Sequence, residues 1–234
     1  MAVDVDDGRL RLTTHSALSL EWVLANLRKP TKASGRQHAI AALPDGARVF
    51  IKTYNPRANH SLWRRLRDSR AIAEGKGYLA FASAGIETPE LIAWGEVRRR
   101  ATWQRGIVIT RLVDGNTVAE HYSENKDVGV LEQAAACLAR VHRAGLAHGD
   151  PRLRNFLVDH ERILPFDLCS WGLINERRRR NDLVKFIGSA RTVTEPAVAE
   201  RLLARYSECS AWRSPAADRL IHDAEAYAIK EKVP

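Results

Sequence analysis

Apolar and polar positions follow two different periods along this chain, and the change falls near residue 113. From His38 to Tyr54 two runs of strand-like composition, HAIAAL and RVFIKTY, flank Pro44-Asp45-Gly46, which predicts a β-hairpin. Residues 61–84 are rich in Leu, Arg, Ala and Glu and have helical propensity. Gly75 and Gly77 each cost that helix about 1 kcal/mol relative to alanine, so the segment reads as one helix or two. Gly85 offers a left-handed position past the helix end and Pro89 a stop. ELIAWGEV and GIVITRLV then read as two further strands separated by Arg98, Arg99 and Arg100. Beyond Asp114-Gly115-Asn116 the period becomes helical: Leu131, Ala134, Ala135, Leu138, Val141 and His142 recur on one face. Two more helices are announced by Thr194 before Glu195-Pro196 and by Ser214 before Pro215. Strands first and helices second predict an α+β arrangement of two lobes, residues 1–113 and residues 114–234.

Composition narrows the class. The 234 residues are 45% apolar and 28% charged, with 14 Gly and 9 Pro, which excludes a fibre or a disordered chain. A net charge of +9 calls for an anionic partner: nucleic acid, a phospholipid surface or a phosphorylated substrate. Cys137, Cys169 and Cys209 are odd in number and lack a Cys-x-x-Cys pair, so neither a disulfide framework nor a zinc site is expected. No run approaches the roughly 20 apolar residues of a membrane span. The beginning, MAVDVDDGRL, is acidic where a secretory signal is basic. These features predict a protein of the reducing cytosol, neither exported nor integral.

The chemistry is concentrated in AHGDPRLRNFLV, residues 147–158, and in the RILPFD that follows. Two carboxylates and an amide are expected there on adjoining short strands. Asp150 and Asn155 are spaced as in a phosphotransfer loop, where the aspartate takes a hydroxyl proton and the asparagine holds Mg²⁺. Asp167 lies where a second hard oxygen ligand is needed. Arg152 is placed to neutralise charge on the transferred phosphoryl. Upstream, Lys52 is mid-strand, the context in which a lysine paired with a helical glutamate holds nucleotide phosphates, and Glu74 is the best-placed partner. Ser34-Gly35-Arg36-Gln37 is the one candidate for a phosphate-covering loop. No GxGxxG occurs, so Arg36 and the backbone must do the work of glycines. Singly, a strand lysine is more often a snorkelling surface residue and an Asp-x4-Asn pair a turn signal. The order of all five elements in one chain favours catalysis.

With those residues in place, the sequence resembles the protein-kinase-like superfamily, and within it the lipopolysaccharide core kinases, closest to the heptose kinase branch. The resemblance spans roughly residues 35–190. It rests on FIKTYNPR, AEGKGYLAFASAGIETPELIAWG, IVITRLVDG, LARVHRAGLAHGDPRLRNFLV and FDLCSWGLINERRRRNDL. It implies a bilobal kinase-like fold, with a small, mostly antiparallel β N-lobe holding one main helix and a mostly helical C-lobe. It implies nucleotide binding by Lys52 and Glu74, catalysis by Asp150, and metal binding by Asn155 and Asp167, with ATP and Mg²⁺ as cofactors. The acceptor it implies is an inner-core sugar, heptose in that branch. The His-Gly-Asp-x4-Asn core is shared with aminoglycoside and choline phosphotransferases and with RIO-type protein kinases, which remain alternatives. Leu168 after Asp167, and the lack of an Ala-Pro-Glu segment, depart from regulated protein kinases and argue against an activation-loop switch. Asp182 is read either as a ligand of catalytic-loop N–H groups or as a first-turn acid favoured by the helix dipole. His148 is expected to pack beneath the loop with its ring nitrogens bonded.

Arginine is concentrated at Trp63-Arg64-Arg65-Leu66-Arg67, at 98–100 and at 177–180. Such runs are often solvated faces. Sharing one face, they would dock the protein on the anionic cytoplasmic surface of the inner membrane, with Leu62, Trp63 and Leu66 as an apolar wedge. A nucleic-acid-binding module is the rival outside enzymes. It is disfavoured because no such motif is present and the aromatic residues do not interleave with the arginines. A pseudokinase scaffold is disfavoured by the full set of carboxylates.

Overall fold

The computed structural model describes residues 3–6, 10–14, 22–23, 36–56, 62–99, 101–212 and 217–232. Its contacts divide the chain into two compact units, Met1–Leu79 with Pro89–Leu112 and Ala80–Thr88 with Val113–Pro234.

The first unit is an antiparallel sheet with helices. Its strands are β1 (Val3–Asp6), β2 (Leu10–Thr14), β3 (Arg36–Ala42), β4 (Arg48–Tyr54), β5 (Leu91–Arg99) and β6 (Thr102–Arg111), in the order β1-β2-β5-β6-β4-β3. The β3–β4 hairpin forms as expected: Gly46 takes φ +85°, and Asp45 Oδ1 accepts from Ala47 N at 3.0 Å. The arginine run at 98–100 does not lie wholly between strands, since Arg98 and Arg99 end β5 itself. Val49, Ile51, Ile92, Ala93, Ile107 and Ile109 form the core with Val23 and Leu43. In β4 the burial does not alternate: Ile51, Lys52, Thr53 and Tyr54 are all buried, so the strand is covered on both faces. Ile51 points to that core, and the two-residue period turns Lys52 and Tyr54 to the opposite face.

Residues 61–84 give two helices, α1 (Leu62–Leu66) and α2 (Arg70–Ser83). Gly75, a cost to α2 on propensity, is required by packing. A Cβ there would lie 2.3 Å from the Trp94 ring of β5, and one on Gly106 of β6 would lie 2.6 Å from Ala71 Cβ. Both glycines let α2 rest directly on the sheet. The helix belongs to the first unit through Leu79 and ends in the second. Gly85, φ +71°, closes it with Ile86 N donating to Phe81 O (2.9 Å) and Gly85 N to Ala82 O (3.0 Å), a Schellman cap.

The second unit is mainly helical. Helix α3 (Val118–Asn125) starts at a capping box of Thr117 and Glu120, and α4 (Val128–Arg143) starts at Asp127. After them come β7 (Leu146–Ala147), a 3-10 turn (Leu153–Asn155), the hairpin β8 (Phe156–Asp159) and β9 (Arg162–Pro165), and β10 (Gly172–Leu173), which pairs with β7. Helices α5 (Glu176–Arg191), α6 (Pro196–Ser210) and α7 (Ala217–Lys232) complete it. The apolar face read in α4 is the core: Leu131, Ala134, Ala135 and Leu138 pack with Phe156, Phe186, Leu202 and Tyr206. Pro196 takes the first position of α6, but the cap is Glu195 and not Thr194, whose hydroxyl instead donates to Ala190 O at 3.0 Å. Ser214 and Pro215 lie outside the described residues. Among the described residues no helix is long and apolar enough to cross a membrane, and none of the three cysteines forms a disulfide.

Candidate active site

In the first unit, Lys52 and Glu74 meet. Lys52 sits opposite Val108 of β6 and His38 of β3, one strand in from the edge of the sheet. Its Nζ is 2.9 Å from Glu74 Oε1, and the two side chains are 7% and 2% exposed. Tyr54, on the same face of β4, donates its hydroxyl to Glu74 Oε2. Lys52 also lies 5.3 Å from the Tyr54 ring centroid. A carboxylate bonded at both oxygens fixes a lysine in one place, which is what an anion-binding cation needs. Of the predicted covering loop, Ser34 and Gly35 lie outside the described residues, as does the side chain of Arg36. The backbone of Arg36 opens β3 opposite Tyr54.

In the second unit, the residues from Ala147 to Asp167 form one hydrogen-bonded loop and hairpin. Asp150 is in the turn after β7, Asn155 ends the 3-10 turn, and Asp167 follows β9, so the three lie on loops and not on strands. Asn155 Nδ2 donates to Asp150 O (2.8 Å) and Oδ2 (3.3 Å), and Phe166 N donates to Asn155 O (3.0 Å), which ties the residue before Asp167 to the same turn. Asp167 is buried, 8% exposed, with φ +59°, a left-handed conformation costly for a non-glycine residue and characteristic of functional sites. Gly149 takes φ +84°, and a Cβ there would lie 2.1 Å from Ser170 O, so only glycine fits before Asp150.

The loop owes its shape to α5. Asp182, 1% exposed, accepts from His148 N (2.8 Å) and Gly149 N (3.0 Å) and contacts His142 Nε2 at 3.2 Å. It is the seventh residue of its helix, which removes the first-turn reading. Lys185 donates from Nζ to Gly149 O and stands 3.9 Å from Asp150 Oδ1, and Ser189 Oγ accepts from Leu153 N at 3.1 Å. Positions 182, 185 and 189 follow i, i+3, i+7, so one stripe of helix holds the loop at three points. Lys185 was not singled out from the sequence. A polar stripe among the buried Leu183, Phe186 and Ile187 is the signal that could have found it.

His148 is fully buried, its ring 5.5 Å from Phe156 and 6.4 Å from Phe81. Asp150 N donates to its Nδ1 at 3.4 Å, while Nε2 has no partner among the described residues, so one nitrogen is bonded and not both. Burial lowers the pKa of His148 and also that of His142, despite the nearby Asp182. Burial thus favours the neutral form of both rings.

Arg152 does not stand as an unpaired cation. Its Nε donates to Asp150 Oδ1 (2.9 Å) and its Nη1 to Glu231 Oε2 of α7 (2.9 Å). Burial pulls its pKa down, but the bond to Asp150 and the surrounding acids outweigh this and the net shift is upward. The basic runs are likewise partly committed. Arg98 bonds Glu96 and the carbonyls of Leu66, Arg67 and Ala101. Arg179 donates to Tyr206 Oη (2.9 Å), and Arg180 pairs with Asp223. Arg100 and the side chains of Leu62 and Arg64 lie outside the described residues, whereas Trp63 is 78% exposed.

The donor set fits magnesium. Asn155 commits its amide nitrogen to Asp150, so the atom it can offer a cation is the hard Oδ1, and Asp167 supplies a carboxylate. Among the described residues no group of three or more His, Cys, Asp or Glu forms a metal cage. One or two protein oxygens is the complement of a Mg²⁺ that shares its shell with nucleotide phosphates.

The fold places the molecule in a class. WaaP, solved in complex with acyl carrier protein, matches with a TM-score of 0.65 at 22% identity, over 91% of this chain and 92% of that one. An aminoglycoside-3'-phosphotransferase of type VIII matches with a TM-score of 0.58 at 13% identity, over 84% and 95%. The α+β fold is therefore protein-kinase-like.

Within that class the assignment is specific: residues 25–206 match the model of the lipopolysaccharide kinase (Kdo/WaaP) family, and the chain belongs to it. Curated relatives include the 3-deoxy-D-manno-octulosonic acid kinases of Xanthomonas axonopodis pv. citri, 25% identical over 55% of this chain and 55% of that one, and of Vibrio vulnificus, 25% identical over 47% and 49%. The chain thus spans about half the length of the curated relatives it matches.

Proposed function

We propose that this protein is an ATP-dependent sugar kinase that transfers the γ-phosphoryl of ATP to a hydroxyl of a lipopolysaccharide inner-core sugar. The observation that carries the reading is the loop from His148 to Asp167, in which Asn155 is hydrogen-bonded to Asp150 and to Phe166 N, next to Asp167, while Asp182 accepts from His148 N and Gly149 N. Family membership favours a lipopolysaccharide sugar over the protein and antibiotic acceptors of other kinase-like enzymes.

In this mechanism Lys52, held by Glu74, binds the α and β phosphates of ATP. Asn155 and Asp167 hold Mg²⁺, which when bound neutralises charge on the phosphates. Asp150 orients the acceptor hydroxyl and accepts its proton as the oxygen attacks in line. Arg152 keeps Asp150 in register and places positive charge beside the reacting centre. Heptose is the acceptor that the sequence resemblance favours, while the relatives named above favour 3-deoxy-D-manno-octulosonic acid (Kdo). The protein works at the anionic inner face of the membrane, with the exposed Trp63 and Leu66 beside Arg67 as its footing.

The test is transfer of labelled γ-phosphate from Mg-ATP to core acceptors ending in heptose or in Kdo, beside a protein-only control and Asp150→Ala. Label should enter a sugar fraction and fall by about 10³-fold in the variant, the scale of a lost general base. Label in protein alone, or full turnover by Asp150→Ala, would defeat the proposal.

A further inference from the structure

Beside the catalytic loop stands a group of side chains that phosphoryl transfer itself does not require. Helix α7 lies along α5, with Leu220, Ala224 and Ala228 buried and with Arg191 paired to Glu225 at 2.7 Å. The close approach is at Gly188 of α5, where a Cβ would lie 2.6 Å from Tyr227 Cδ1 and 2.9 Å from Ala224 O. This seats Tyr227 next to the helix that shapes the loop. Glu231, four residues on, shares its face. From there Glu231 reaches Arg152, and Arg152 reaches Asp150, each at 2.9 Å.

The series Tyr227, Glu231, Arg152, Asp150 is only half-buried: Asp150 and Arg152 side chains are 22% exposed and Glu231 34%. An ion pair this open contributes little to stability, and the helix is already fastened by its apolar residues and its other ion pairs. The chemistry does suit a sugar. Carboxylate and guanidinium oxygens and nitrogens pair with ring hydroxyls, and a tyrosine offers an apolar face with a polar tip. A hydroxyl seated on Asp150 has one side chain, Arg152, between it and Glu231. Other hydroxyls of the same ring therefore fall within the reach of Glu231 and Tyr227.

We propose that Tyr227 and Glu231 form the acceptor subsite for a polyhydroxylated pyranose, with Glu231 accepting a hydrogen bond from a non-reacting hydroxyl and the Tyr227 ring against a C–H face of the sugar. The inference rests on the sugar-kinase reading above and names the residues that read the acceptor.

The experiment measures binding of heptose and of Kdo by calorimetry and acceptor KM in the transfer assay, for the full chain and for Glu231→Gln, Glu231→Asp and Tyr227→Phe. Glu231→Gln should weaken sugar binding and raise acceptor KM about tenfold, the loss of one charge-assisted hydrogen bond. KM for Mg-ATP should stay within about twofold, and Glu231→Asp should recover part of the loss. Tyr227→Phe keeps the ring on Gly188 and should cost less than Glu231→Gln. Unchanged sugar affinity in Glu231→Gln, or an equal loss for nucleotide and sugar, overturns the subsite and leaves the kinase reading standing. A full chain that binds Mg-ATP but neither binds nor phosphorylates heptose or Kdo overturns both.

Discussion

Lys52 with Glu74 and Arg152 with Asp150 are ion pairs of the same length, 2.9 Å, in different surroundings. The first is sealed, with side chains 7% and 2% exposed, and the second keeps 22% of each side chain open to solvent. Coulomb attraction at equal distance is far larger in the dry setting, and so is the penalty for leaving one partner alone. The sealed pair fixes a shape, a lysine that cannot wander from the position a phosphate would meet. The open pair can be broken and remade at small cost, as the proposed role of Asp150 in taking a proton from each incoming acceptor requires. The comparison separates a pair whose loss is felt first in stability from one whose loss is felt first in the proposed chemistry.

The largest break in that contrast is Glu74→Ala. It leaves a buried ammonium without its carboxylate and should destabilise the protein by about 3–5 kcal/mol, read as a lower denaturant midpoint with little change in slope. Asp150→Ala should leave that midpoint nearly unchanged while lowering transfer about 10³-fold. Equal destabilisation by the two would show that burial does not distinguish the pairs. Asp182→Ala comes next. It strips His148 N and Gly149 N of their acceptor, and charge-assisted bonds of this kind give a loss of about 2–3 kcal/mol. Because the loop then loses its clamp, kcat should fall along with stability. An Asp182→Ala protein that melts early yet turns over normally would detach loop shape from catalysis.

Much of this was legible in the chain. The hairpin around Pro44-Asp45-Gly46 and the strand position of Lys52 follow from composition and turn chemistry, which are local signals, and its distant partner Glu74 follows from the pattern of a strand lysine with a helical glutamate. The resemblance to lipopolysaccharide kinases led to the family to which the chain belongs. What stayed hidden depends on packing between distant segments. Gly75 reads as a helix weakness until Trp94 is found against it. Arg152 reads as a free clamp until Glu231, 79 residues on, is found at 2.9 Å. Thr194 has the composition of a cap, but the hydrogen bond it makes to Ala190 O takes it out of that position. Lys185, Tyr227 and Glu231 carry no motif, and only the contact of α5 with the loop and of α7 with α5 gives them meaning.

The smallest effect expected is a pH dependence confined to the second unit. Burial lowers the pKa of His142 and His148 in the folded state, and the neighbouring carboxylates do not restore it. In the unfolded chain both titrate near the ordinary histidine value of about 6.5. Above that pH neither state binds these protons and the two rings leave stability independent of pH. As pH falls below it, the unfolded chain takes up protons that the folded chain refuses, so stability declines until the depressed folded values are reached. Melts at pH 7.5 and 5.5 should therefore differ, with the acid sample less stable, and His142→Gln should reduce the difference. An acid slope identical in His142→Gln would place the proton uptake outside that ring and defeat the account of His142 given above.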